Sequence, residues 1–361
     1  MTNPLDRENL RRRVQASADT LLAAQNAVLA ELDEDLHLLL DPIRSLLSGG
    51  KRLRAAFAYW GYRAAGRPDS DALVRLATAM ELFQAAALLH DDVMDGSDTR
   101  RGMPSAHRAA ADSHARAGWA GSSERFGEAT AILAGDLCLQ WTDELFATSG
   151  LPPDQLSRAR PMFDRMRAQL MGGQFLDVLE SARGWDDAST DARIAMARKV
   201  IRFKSAKYTI EQPLLVGALA GGLSATALPP LSDYGLALGE AFQLRDDLLG
   251  VFGDPAQTGK PAGDDLREGK RTVLLAHALD TATPAQAATI AAEFGRADLD
   301  ASGVDALRAA ITGSGAVDAV ERRIAALAAE SRRALTAATD VDATAREVLA
   351  DLVDLATQRD S

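Results

Sequence analysis

Apolar residues recur at helical spacing along nearly the whole chain, and no stretch of useful length alternates apolar with polar residues as a half-buried strand must. Candidate helices fall at about 15–40, 51–65, 70–94, 128–148, 153–181, 191–222, 232–250, 271–281 and 303–357. Composition agrees: 47% of residues are hydrophobic but only 5% aromatic, so Ala and Leu carry the apolar content. Strands draw instead on β-branched and aromatic residues. "GRPDSD" (Gly66 to Asp71) is a stop-and-start signal, with Ser70 or Asp71 as the cap of the next helix. "DSHARAGWAGSSERFG" (Asp112 to Gly127) lacks periodicity and reads as a mobile loop. The segment from Gly253 to Lys270 is long for a loop in a helical domain, and such loops often act as functional lids. No repeat or linker divides the chain. The expectation is one all-α domain over residues 1–361, with residues 1–20 as a flexible extension.

A net charge of −11 argues against general nucleic-acid binding, so any polyanionic ligand needs a local basic pocket. A single cysteine, Cys138, excludes an internal disulfide and a cysteine-based zinc site. The opening "MTNPLDRENLRRRV" has no apolar signal core. "PLLVGALAGGLSATALPPL" is cut by Gly and Pro and reads as too short for a membrane span. These features predict a cytoplasmic protein.

Chemistry concentrates in "LLHDDVMDGSDTRR" (Leu88 to Arg101), where Asp91, Asp92 and Asp95 follow an apolar run. Like charges at helical spacing repel by about 0.2–0.5 kcal/mol per exposed pair, so solvent, a protein cation or a metal must compensate. Asp91 and Asp95 lie about 40° apart on a helix and share a face, while Asp92 lies farther round. Two carboxylates on one face suit Mg²⁺, which keeps waters and shares its remaining positions with phosphate. The plain alternative is a solvated acidic helix end. The buried-looking "ELFQAAALLH" before it and Arg100 and Arg101 after it favour a metal and phosphate site.

A second acidic pair, Asp246 and Asp247, sits in "GEAFQLRDDLLGVFGD" with Asp254 beyond it. Two such elements, each ending an apolar helix, can face each other across one cavity. "SGGKRLRAAF" places Lys51, Arg52 and Arg54 after Gly49 and Gly50, a basic helix start able to meet an anion. Its spacing is not that of a P-loop. Lys204, Lys207, Lys260 and Lys270 add scattered cations, each of which can also be a plain surface lysine, and Gln174 and Asp177 share one helical face in "MGGQFLDV". His90 lacks a partner histidine at ligand spacing and reads as a core or supporting residue; His37, His107, His114 and His277 form no ligand pattern.

"GGKRLR", "LLHDDVMDGSDTRRG", "GGQFLD", "FKSAKYT" and "FQLRDDLLGVFGD…GK…DDLREGKRT" resemble, in order, the motifs of the trans-isoprenyl diphosphate synthases, or polyprenyl synthetases. The resemblance covers roughly residues 30 to 281. It implies the isoprenoid synthase fold, helices around a central cavity, and a homodimer. It also implies Mg²⁺-dependent condensation of an allylic diphosphate with isopentenyl diphosphate. By position, Asp91 and Asp95 would bind two of three Mg²⁺ ions and Asp246 the third, with Asp92 and Asp247 supporting. Arg100, Lys204 and Lys260 would act on the allylic diphosphate, and Ser205, Gln243 and Lys270 would add contacts from the same motifs. Lys51, Arg54 and Arg101 would hold isopentenyl diphosphate. Gln84 stands where many relatives carry a histidine, so a cationic form is lost there. Gly250 stands where the second motif usually carries a third aspartate.

Ala86 and Ala87, one turn before Asp91, leave room for a growing chain, and Phe83 two turns back is the candidate floor. This favours geranylgeranyl diphosphate, with farnesyl or longer products open. The rival readings are a class I terpene cyclase and a non-catalytic partner subunit. The basic GGKRLR element and the second acidic pair count against the first. Retention of both acidic motifs counts against the second.

Overall fold

The computed structural model describes residues 3–183, 185, 188–254, 263–296 and 298–358. Its helices are α1 (Leu10–Ala30), α2 (His37–Leu47), α3 (Leu53–Ala64), α4 (Asp71–Met94), α5 (Ala106–Ala117), α6 (Ser123–Ala147), α7 (Pro153–Ala182) and α8 (Thr190–Val200). After a π-helical segment, Ile201–Glu211, come α9 (Gln212–Gly221), α10 (Leu228–Phe252), the single turn α11 (Asp264–Arg267), α12 (Val273–Thr281) and α13 (Pro284–Glu293). The chain closes with α14 (Ala301–Gly313), α15 (Ala316–Ala337) and α16 (Ala343–Thr357). Among the described residues, strand is limited to β1 (Thr99–Arg100) and β2 (Met103–Pro104), an antiparallel hairpin. The all-α expectation holds.

The chain divides into two compact units: Met1–Phe163 with Pro213–Leu228 and Asp340–Val348, and Asp164–Gln212 with Pro229–Thr339 and Leu349–Ser361. In the first unit α4 packs on α1, α3 and α6, and α5 packs on α6. Phe57, Tyr59, Trp60, Phe83, Trp141, Phe146 and Phe163 are its largest buried side chains. Helices α3 and α9 meet almost backbone to backbone. A Cβ at Gly217 would lie 1.9 Å from the Ala58 carbonyl oxygen, so only glycine fits. The second unit has its own core, including Ile201, Leu244, Leu248, Leu274, Leu307 and Leu327.

Local signals account for many boundaries. The Ser70 side chain accepts from the Leu73 amide at 3.2 Å and opens α4, as "GRPDSD" predicts. Thr283 and Gln286 form a capping box at α13. The helix expected at 15–40 breaks after Ala30, where a 3₁₀ turn at Glu34–Leu36 leads into α2. The run 303–357 is three helices, and α13 was not anticipated.

Two further expectations are corrected. Residues within 1–20 are not a flexible extension: Leu5, Leu10, Val14 and Ala18 are buried, because one face of α1 joins the core beside α4. The loop at 112–127 shrinks to a short turn between α5 and α6; His114 is buried and packs edge-to-face on Trp119 and at a tilt on Phe126, which fixes the turn. Helix α4 is long and apolar enough to cross a membrane, but 72% of its apolar window is buried inside the protein, as suits a core helix.

Candidate active site

In the first unit, one cluster of candidate residues is built by the end of α4. Gly96 takes φ +65° and the Ser97 amide donates to the Asp92 carbonyl at 3.0 Å, a Schellman stop just after Asp95. The stop leaves three aspartates in and beside the last turn of a long helix, where the macrodipole is already negative and the turn itself carries no basic side chain. Helix geometry then separates the three. Asp92 turns inward, 1% exposed, and accepts from Arg100 Nε at 2.9 Å and from the Arg100 terminal nitrogen. Asp91 is 17% exposed and lies 3.6 Å from the same guanidinium. Gln84, Ala87, Leu88, Asp91 and Asp95 are all partly exposed on the side of α4 that the packing leaves open. Phe83 is fully buried and stands about 80° round the helix from Asp91, whereas Gln84 is within about 20°. Gln84, not Phe83, lies below Ala87 on the open face.

The hairpin after α4 carries the arginines. Arg101, at φ +55°, donates to the Leu46 carbonyl at 2.8 Å and lies against Gly50, where a Cβ would come within 3.1 Å of its guanidinium. The GGKRLR and DTRRG motifs thus meet, in keeping with the shared ligand that the family resemblance implies for them. Lost hydration, and then the charges of Arg52, Arg100 and Arg54, lower the affinity of Arg101 for its proton, with Glu81 opposing. Guanidiniums crowded in this way await an anion. Arg52 itself is structural. It is 5% exposed, pairs with Glu81 at 3.4 Å and donates to Gln15 at 2.6 Å. Glu81 also accepts from the Ala55 amide at 3.0 Å and so pins the start of α3. A lone glutamate within the apolar run of α4 was the available signal. Lys51 is exposed and Arg54 partly exposed at the same helix start.

A separate cluster of candidate residues lies in the second unit. The expected uninterrupted helix at 191–222 contains the π-helical segment, in which the Gln212 amide bonds the Lys207 carbonyl. Wide turns of this kind are rare and recur at functional sites. Close packing fixes the segment: a Cβ at Gly173 on α7 would lie 2.5 Å from the Lys204 amide nitrogen, and one at Gly239 on α10 would lie 2.6 Å from the Ala206 Cα. Lys204 Nζ donates to Asp177 Oδ2 at 2.6 Å, which joins the FKSAKYT and GGQFLD motifs. Ser205 beside it is partly exposed. Lys207 is tied to buried Glu211 at 3.0 Å, so it is structural.

On α10 the two aspartates again divide by burial. Asp246 is exposed, whereas Asp247 is 7% exposed and accepts from Gln243 Nε2 at 2.8 Å. Burial, followed by repulsion from Asp265 and Asp246, pushes the Asp247 carboxyl up to about 8 against the Gln243 hydrogen bond and Lys270. Lys270 Nζ lies 2.7 Å from Glu268 and 3.7 Å from Asp265. Asp265 was not singled out from the sequence, although its DD pair in the long loop offered a signal. Lys260 lies outside the described residues.

The donor set fits Mg²⁺. Each acidic element offers hard oxygen ligands, although among the described residues no group of three or more His, Cys, Asp and Glu side chains is placed to hold a metal ion by itself. Mg²⁺ does not need one, since it completes its shell with water and phosphate. His90 is a packing residue. Its Nε2 lies 3.0 Å from the Ile132 carbonyl oxygen, in space that Gly135 leaves open.

Residues 36–311 match the family model described as polyprenyl synthetase. The fold is similar to the crystal structure of geranylgeranyl pyrophosphate synthase from Corynebacterium glutamicum complexed with isoprenyl diphosphate and magnesium. That match has a TM-score of 0.91 at 39% identity, over 97% of this chain and 98% of that one. Among curated proteins, the chain is 32% identical to geranylfarnesyl diphosphate synthase of Aeropyrum pernix, covering 86% of this chain and 91% of that protein. It is 33% identical to octaprenyl diphosphate synthase of Escherichia coli, over 78% and 79% respectively.

Proposed function

The chain belongs to the polyprenyl synthetase family and is a prenyltransferase, a trans-isoprenyl diphosphate synthase, and from that premise we propose that it makes geranylgeranyl diphosphate from an allylic diphosphate and isopentenyl diphosphate. The observation that carries the two-substrate reading is the pair of unlike features at one end of the first unit. An outward carboxylate face, Asp91 and Asp95, stands beside a crowd of guanidiniums around Arg101. The first suits a metal-bound diphosphate and the second a diphosphate held by cations alone.

In this reading Asp91, Asp95 and Asp246 hold Mg²⁺, with Asp92 and Asp247 behind them. Arg100, Lys204 and Lys260 grip the allylic diphosphate, helped by Ser205, Gln243 and Lys270. Lys51, Arg54, Arg101 and Gln84 receive isopentenyl diphosphate. Bound Mg²⁺ supplies charge stabilisation to the departing diphosphate. The cationic side chains bind and orient both substrates and hold the leaving group as the allylic C–O bond breaks. The isopentenyl double bond then forms the new C–C bond, and the released diphosphate takes the proton lost from the adjacent carbon. No protein base is required. Water must be kept from the allylic cation; the lid expected at Gly253–Lys270 falls largely on residues 255–262, outside the described residues.

Small Ala87, partly exposed one turn behind Asp91, supports room for a growing chain beside the Asp91 face, whereas Ala86 is buried. The homodimer reading draws support from a stripe on α7, where Met171, Phe175 and Val178 are 44%, 65% and 41% exposed at helical spacing. We place the protein in the cytoplasm. Chromatography of products from dimethylallyl, geranyl and farnesyl diphosphate, each with isopentenyl diphosphate and Mg²⁺, tests the reading. A dominant geranylgeranyl product is expected. Hydrocarbon from an allylic diphosphate alone points to a cyclase, and no condensation by the purified protein overturns the assignment.

A further inference from the structure

Resting on the synthase reading, in which Lys204 grips the allylic diphosphate and Asp246 holds Mg²⁺, we propose that Glu211 is a positioning residue. Clamped between Lys207 and Ser232, it sets the register of the π-helical segment on α10, and so the height of Lys204 along the helix that carries Asp246. Ser232, Gly235, Gly239, Gln243 and Asp246 fall within about 80° of one another around α10. At the two glycines this stripe meets the π-helical segment with no α10 side chain between. A Cβ at Gly235 would lie 2.6 Å from the Glu211 Cα, and one at Gly239 would lie 2.6 Å from the Ala206 Cα. Bare backbone fixes how close the two elements come. It fixes their register poorly, because glycine offers no knob to lodge in a hole.

A buried polar link supplies the register instead. Glu211, the last residue of the segment, has a side chain 5% exposed. Its Oε1 accepts from Ser232 Oγ at 2.6 Å, and its Oε2 accepts from Lys207 Nζ at 3.0 Å. Ser232 belongs to α10, so the first bond ties the two elements at one point. Lys207, 12% exposed, neutralises the carboxylate that the tie requires. A buried pair of this kind adds little net stability over apolar residues of similar size, but it specifies register. Arg198 and Glu240 also join α8 to α10, yet Arg198 is 45% exposed, and a solvated ion pair holds geometry weakly. Asp177 holds the tip of the Lys204 side chain. The backbone that carries Lys204 lies seven residues before Glu211 and shifts with it. A slip of one residue along α10 would move Lys204 by about 1.5 Å against Asp246.

The test uses the full chain as wild type and as two uncharged double variants, Lys207→Met/Glu211→Leu and Lys207→Met/Glu211→Gln. Both keep side-chain size, and only the second keeps an acceptor for Ser232. Steady-state kinetics is measured with isopentenyl diphosphate and the allylic diphosphate that wild type condenses best, and thermal melting is followed in parallel. Lys207→Met/Glu211→Leu is expected to melt no lower than wild type. Its KM for the allylic diphosphate rises about tenfold, the cost of one misplaced hydrogen bond to a charged group. Its KM for isopentenyl diphosphate is unchanged. Lys207→Met/Glu211→Gln is expected to recover most of the wild-type KM, since the tie to Ser232 is restored without the charge. Equal allylic KM values in the two variants, a parallel rise for both substrates, or a loss confined to melting temperature overturns the proposal while the synthase reading stands. A wild-type protein that condenses nothing overturns both.

Discussion

Arg100 holds Asp92 from two nitrogens, with Nε at 2.9 Å, while the neighbouring Asp91 stays 3.6 Å from the same guanidinium. One helical step of about 100° makes the difference. It places one carboxylate in the protein, 1% exposed, and turns the other toward the open side of α4. Adjacent aspartates are therefore proposed to have different roles. On the proposed role of Asp91 in holding Mg²⁺, Asp91→Asn is expected to lower kcat by about a hundredfold or more, since a metal ligand is worth several kcal/mol in the transition state. Asp92→Asn loosens Arg100 and is expected to raise KM for the allylic diphosphate with a smaller loss of kcat. Steady-state kinetics at saturating Mg²⁺ separates the two, and equal losses of kcat would contradict the division of roles.

Chain length is expected to respond to the open face of α4. Ala87 sits one turn behind Asp91 and is partly exposed there. Ala87→Phe fills that space and shortens the product, read by chromatography of dephosphorylated prenyl alcohols. An unchanged product profile would show that the chain grows elsewhere.

Gly217 provides a stability test remote from the chemistry. Its hydrogen faces the Ala58 carbonyl, and a Cβ there would lie 1.9 Å from that oxygen and 2.7 Å from the Tyr62 amide nitrogen. Backbone atoms cannot yield as a side chain would. Gly217→Ala is expected to cost about 1–3 kcal/mol, the range for overpacked cores. At about 2–4 °C per kcal/mol, the melting temperature falls by roughly 2–12 °C. A shift under one or two degrees would mean that α3 and α9 separate easily.

His107 predicts a pH dependence. It is 6% exposed, and its Nδ1 lies 3.2 Å from the Ser105 hydroxyl. Burial, then Arg108, lowers its pKa from the ordinary 6.5. Below 6.5 the unfolded chain binds a proton that the native protein refuses, so stability falls as pH drops through that value toward the lower native one. His107→Gln removes this contribution. Melting curves from pH 7.5 to 5.5 are expected to fall more steeply for wild type than for the variant, and parallel curves would refute the assignment.

Much of this site was legible in the chain. Asp91, Asp95 and Asp246 stand at the ends of apolar helices because a 3.6-residue period and a Gly96 stop are local properties. The GGKRLR and DTRRG motifs were expected to serve the same ligand, and Arg101 does rest against Gly50. The π-helical turns at Ile201–Glu211 were not legible, because the sequence there keeps an ordinary helical pattern. Close approach at Gly173 and Gly239 accompanies the wider winding. The burial of the N-terminal face of α1 was likewise missed, since its polar composition hides a narrow stripe of Leu10, Val14 and Ala18.

By itself, then, the sequence determined the helical class, the two acidic helix ends and the clustered cations. Periodicity, caps and charge act over a few residues. Tertiary structure decided which of each aspartate pair faces inward, that Arg52 serves Glu81 instead of a ligand, and that Asp265 occupies the space beside Gly250. Those outcomes depend on which distant side chain reaches a given volume first, and excluded volume between remote segments leaves no mark on local spacing.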